Sequence, residues 1–190
     1  MKIKNKLGKI LKNYKEGRVI MMELPAETYF EAASDSVKAL VGQGFEGVYI
    51  SFQRPFANVQ SLFKQQGIDT NKFFIVDVAT AFAQEEHKKH ERCVHISPAI
   101  DIDELVRAIY TSLDKIKSKK KFIFIDSLTT VSLYKPLSEV LRFCEFLTRI
   151  VRNHKLEGVT LIFNVAKDLS QKKFIRDIAM QIDETISVIK

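Results

Sequence analysis

Phe122-Ile-Phe-Ile runs without interruption into Asp126, and a polar segment, Ser127-Leu-Thr-Thr130, follows it. A short continuous apolar run of β-forming residues predicts a strand covered on both faces, as in a parallel sheet. Val19–Leu24, Val48–Phe52, Phe73–Val78 and Val159–Val165 have the same character, and Cys93–Ile96 and Glu184–Ile189 are shorter candidates. The stretches between them carry apolar residues at helical spacing: Tyr29–Val41, Asn58–Gln66, Asp101–Lys117, Pro136 to about His154, and Lys173–Ile182. Strands alternating with helices predict a three-layer α/β fold, a largely parallel twisted sheet with helices on both faces. An acidic residue ending a central strand of such a sheet stands where these folds place their ligands.

The 190 residues suit one domain, residues 19–190, preceded by a segment of different composition. Most of the net charge of +7 lies in residues 1–18, where six lysines and Arg18 face Glu16 alone. Ile3, Leu7, Ile10, Leu11 and Tyr14 form one helical stripe there, surrounded by Lys4, Lys6, Lys9 and Lys12. A basic amphipathic helix suits nucleic acid, an anionic surface or an acidic partner. With five apolar residues and no Trp or Phe, the preferred expectation is a stripe packed on the sheet edge with the lysines solvated. No apolar run reaches the length of a transmembrane segment. Two cysteines, Cys93 and Cys144, make no disulfide framework and point to a reducing, cytoplasmic setting.

Asp101 reads as a helix N-cap with Glu104 completing a capping box. Residues 79–92 read as irregular, and the segment after Asp126 reads as a loop through Tyr134. His87, His90, Cys93 and His95 are all zinc-ligand types within nine residues. Their spacing matches no standard finger, so no metal is assigned. No Gly-x-Ser-x-Gly elbow or dinucleotide fingerprint is present. Phe52, Phe56, Phe73 and Phe74 are expected in the core rather than stacked on bases.

Phe124-Ile-Asp-Ser-Leu-Thr-Thr-Val-Ser-Leu-Tyr134 resembles the Walker B segment of RecA-like ATPases, in particular the archaeal relatives of KaiC. Val140–Ile150 is similar to the helix that follows it, and Gly17–Pro25 resembles the approach to the P-loop. The likeness spans about residues 17–189. It implies a RecA-like fold, edge-to-edge association and, at Asp126, a Mg²⁺-binding aspartate.

A P-loop needs glycines to wrap phosphates, a lysine for the β- and γ-phosphates, and a hydroxyl for Mg²⁺. With Pro25 placed third in that motif, the glycine positions are Glu23, Ala26 and Thr28, and the lysine and hydroxyl positions are Tyr29 and Phe30. Glu27 adds a second carboxylate where polyphosphate would lie. After the second strand, where the resemblance implies acidic residues acting on water, stands Gln53. Without its Mg²⁺ partner, Asp126 is expected to cap the following turn.

The expectation is a catalytically inactive KaiC/RecA-like domain, a pseudo-ATPase with a degenerate P-loop and no cofactor. It would regulate or scaffold through a protein partner or self-association, with Glu23, Pro25, Glu27, Tyr29, Phe30, Gln53, Asp126 and Ser127 as the vestigial pocket. One alternative is a nucleic-acid-binding accessory protein of recombination type using the basic N-terminus. The other is a nucleotide or metal sensor built on converging Glu23, Glu27 and Asp126.

Overall fold

A computed structural model describes residues 3–12, 17–83, 89–152, 158–170 and 172–188. Side chains are described in these ranges except at residues 3, 4, 82 and 83. Seven strands form one sheet: β1 (Arg18–Leu24), β2 (Glu46–Ser51), β3 (Phe73–Asp77), β4 (Cys93–His95), β5 (Lys121–Asp126), β6 (Val159–Ala166) and β7 (Glu184–Ser187). Their order is β4-β3-β2-β5-β6-β1-β7, and every pairing is parallel.

Among the described residues, eight α-helices accompany them: α1 (Ile3–Ile10), α2 (Tyr29–Gly42), α3 (Phe56–Gln65), α4 (Ala79–Ala83), α5 (Ile102–Asp114), α6 (Leu128–Tyr134), α7 (Leu137–Arg152) and α8 (Lys173–Ala179). The central strands are buried on both sides, and successive side chains feed two separate apolar clusters. Met21, Ile50, Ile125 and Phe163 pack with residues of α5, α6, α7 and α8 on one face. Ile20, Met22, Tyr49, Phe124 and Ile162 pack with residues of α1, α2 and α3 on the other. This is the three-layer architecture expected from the alternation of apolar runs and helical stripes. Gly47 is required by close packing, since a Cβ there would lie 2.2 Å from the Phe122 carbonyl oxygen.

Two segments read as loops are helical. α4 follows Asp77, whose Oδ1 accepts from Thr80 N at 2.9 Å. α6 follows Ser127, whose Oγ accepts from Thr130 N at 3.1 Å. Ser127, and not Asp126, is therefore the cap of the turn after β5. At α5, Asp101 caps Asp103 N at 2.8 Å. Glu104 turns outward to Ser97, accepting from its backbone N at 3.0 Å, so it serves the preceding loop.

The basic N-terminal helix is docked. Leu7 and Leu11 are buried against the cluster that includes α2 and Ile186 of β7. It covers α2 and the β7 side of that layer, and Lys6 Nζ reaches Ser187 O at 3.5 Å. Lys9 and Lys12 are exposed, while the side chain of Lys4 and all of Tyr14 lie outside the described residues. Phe52, Phe73 and Phe74 are buried, as expected of core aromatics.

Candidate functional site

The carboxyl ends of β2 and β5 flank the point where the chain changes direction. From β2 it proceeds to β3 through α3 on one face, and from β5 to β6 through α6 and α7 on the other. Parallel sheets open their ligand crevice at such a switch. Ser51 and Asp126 are register partners across it.

Asp126 is 1% exposed. Its Oδ2 accepts a hydrogen bond from Tyr49 Oη, and Tyr49 stacks on Phe124 with centroids 5.4 Å apart. Tyr29, at the first turn of α2, and Asn164, on β6, bring their polar groups to the same point. They stand close enough to favour the Asp126 carboxylate, although neither meets full hydrogen-bond geometry. Asp126 Oδ1, Tyr29 Oη and both polar atoms of the Asn164 side chain are buried without a hydrogen-bond partner.

Burial pushes the Asp126 carboxyl above its ordinary value, against the opposing pull of Tyr49, Tyr29, Asn164 and the Arg54 charge. Burial, then the Asp126 charge, also pushes the Tyr29 and Tyr49 hydroxyls well above the ordinary tyrosine value. Both tyrosine hydroxyls therefore stay neutral, and burial works against the charged form of Asp126, in a place where metal–phosphate chemistry needs a free carboxylate.

Ser127 and Gln53 complete the outer rim. Gln53 Nε2 donates to Ser127 Oγ at 3.1 Å and to Thr130 Oγ1 at 2.8 Å. The Gln53 amide is thus committed to the α6 N-terminus. Phe30 is stacked on Phe63 at 5.8 Å and lies under the Arg54 guanidinium at 4.7 Å. Pro25 is buried at the start of a single 3₁₀ turn, Ala26–Thr28, and Glu27 is exposed within it. Glu23 alternates with Met21 and so projects from the face opposite Asp126. Its Oε2 accepts from Ser187 Oγ of β7. The three carboxylates Glu23, Glu27 and Asp126 do not gather at one point.

Tyr49 and Asn164 carry no signal in the sequence, because both sit inside apolar runs. The register of neighbouring strands is what brings them to Asp126. Asp77 has the same signature as Asp126, an apolar run ending in an aspartate, and could have been found by it.

Asp77 gathers a second polar cluster at the carboxyl end of β3. Its Oδ2 accepts from Phe56 N at 2.8 Å and Thr80 Oγ1 at 2.6 Å. His95 Nδ1 lies 3.7 Å from the same oxygen, and His95 Nε2 lies 3.5 Å from Cys93 Sγ. Burial, then the Asp77 charge, pushes the Cys93 thiol up to about 12. His90 stands apart from the thiol–imidazole pair, its ring 4.7 Å from that of Phe56. His87 lies outside the described residues.

The family model described as ATPase: KaiC matches residues 36–188, a span that begins beyond the Glu23–Phe30 turn. Solved structures that share the fold include two from Pyrococcus horikoshii. An uncharacterised protein from Pyrococcus horikoshii, in complex with an unknown peptide, superposes with a TM-score of 0.69 at 14% identity, covering 96% of this chain and 82% of that one. A KaiC-like protein from Pyrococcus horikoshii superposes with a TM-score of 0.57 at 18% identity, covering 86% and 68% respectively. A comparison with curated proteins finds no match.

Proposed function

From the premise that this chain belongs to the KaiC-like ATPase family, we propose that it is a pseudo-ATPase whose nucleotide site is closed by its own side chains. In this reading it regulates or scaffolds through protein contacts in the cytoplasm. The observation that carries the reading is the burial of Asp126 beneath Tyr49 and Tyr29. Tyr29 stands at the lysine position of the absent P-loop motif. An aromatic ring with a neutral hydroxyl supplies neither the charge nor the space that a γ-phosphate requires.

Protein association is supported by an exposed apolar corner where α6 meets α7. Leu133, Tyr134 and Leu137 are 76%, 54% and 47% exposed there. Large apolar side chains grouped on a surface mark contact sites more often than chance. The peptide held by the structurally similar Pyrococcus protein supports the same direction. Self-association and pairing with an active KaiC-like chain are the two forms this takes.

The test is a calorimetric titration of the purified protein with ATP and Mg²⁺, together with a phosphate-release assay. No binding heat and no turnover above background are expected. Micromolar binding, or phosphate release lost in Asp126→Asn, would overturn the reading.

A further inference from the structure

We propose that Cys93 and His95 are the protein ligands of a soft divalent cation of the zinc type, with Asp77 as the positioning residue behind His95. The pair sits at positions i and i+2 of β4, so both side chains leave the strand on one side. Zinc takes thiolate sulfur at about 2.3 Å and imidazole nitrogen at about 2.0–2.1 Å, and a tetrahedral angle between those bonds sets S and N about 3.5 Å apart. Cys93 Sγ and His95 Nε2 are 3.5 Å apart. Both residues are half-buried, which leaves further coordination positions open to solvent ligands.

Asp77, Cys93 and His95 each present a ligand atom within 4.8 Å of the others. Asp77 nevertheless belongs behind the imidazole and not on the cation. Its two oxygens already accept from Phe56 N, Thr80 N and Thr80 Oγ1, and its nearest approach to His95 is on Nδ1, the nitrogen turned away from the thiol. A carboxylate at the far nitrogen of a ligating histidine fixes the ring and strengthens it as a donor. The buried, threefold-anchored Asp77 is a rigid post for that purpose. On binding, the cation replaces the thiol proton, which leaves to solvent. The Sγ lone pair forms the metal bond, and no redox change occurs.

Co²⁺ is the probe, because thiolate ligation gives a sulfur-to-metal charge-transfer band in the near ultraviolet. Titration of the full chain is expected to produce that band with one equivalent bound. Zn²⁺ is expected to abolish it by competition. Cys93→Ser removes the band while the far-ultraviolet circular dichroism stays unchanged. The second thiol, Cys144, is buried in the core and does not substitute for it. Asp77→Asn keeps the band at saturation but weakens binding by roughly 10- to 100-fold, the usual effect of removing an outer carboxylate. No band in the parent chain, or a band that survives Cys93→Ser, overturns the site. An unchanged affinity in Asp77→Asn overturns the positioning role.

Discussion

Tyr49 donates its hydroxyl hydrogen to the Asp126 carboxylate from the neighbouring strand, and both side chains are buried at the switch between β2 and β5. The acid's folded pKa is raised above its ordinary value of 3.8, mainly by burial. A raised folded pKa contributes stability that is fully present below the unfolded value and is lost as pH rises through the folded one. Asp126→Asn abolishes that titration. Urea denaturation from acid to neutral pH is therefore expected to show the parent losing stability relative to Asp126→Asn as pH rises. Tyr49→Phe removes a donor that favours the charged form and is expected to cost about 1–3 kcal/mol at neutral pH. Parallel stability profiles for the parent and Asp126→Asn would contradict the assignment.

Asn164 offers a complementary test. Its amide nitrogen and oxygen are both buried and without a hydrogen-bond partner. A buried polar group left without a hydrogen-bond partner carries a desolvation penalty of about 1–3 kcal/mol, which an apolar group of similar size does not. Asn164→Leu is expected to leave the urea midpoint unchanged or to raise it. A loss above about 2 kcal/mol would show that the amide supports the Asp126 carboxylate.

The docked N-terminal helix separates packing from charge. Leu7→Ala removes a fully buried side chain, and deletions of this kind cost about 2–5 kcal/mol. Lys9→Glu with Lys12→Glu changes only exposed positions, where surface substitutions stay within about 0.5 kcal/mol. Thermal denaturation of the two variants checks this. A strong effect of the charge reversal on stability would mean that the lysines hold the helix in place.

The apolar corner predicts concentration-dependent self-association of the parent chain by light scattering. Leu133→Glu is expected to abolish it without altering the melting temperature, since Leu133 is 76% exposed. A parent that remains monomeric, or a variant that associates unchanged, removes this corner as the contact.

The layers were legible because strands buried on both faces leave continuous apolar runs, and Phe122–Asp126 is the plainest of them. α6 was not, since Thr129, Thr130 and Val131 are β-branched and weigh against a helix locally. Its capping serine was the signal that outweighs them. The residues expected to line one pocket gather only in part. Tyr29, Asp126, Ser127 and Gln53 do come together, whereas Glu23 is carried to the opposite face by the two-residue period of β1. The grouping of Asp77 with Cys93 and His95 depends on the β3–β4 register, which no spacing within one segment encodes.

The two outermost strands are the shortest described, three residues in β4 and four in β7. Each offers little backbone for another strand to pair with, and short rims discourage sheets from joining across molecules. If copies of this chain, or a relative paired with it, associate, short rims favour contacts through helices and turns. Assembly would be set by side-chain shape, so single surface substitutions could reassign the partner while the sheet stays as it is.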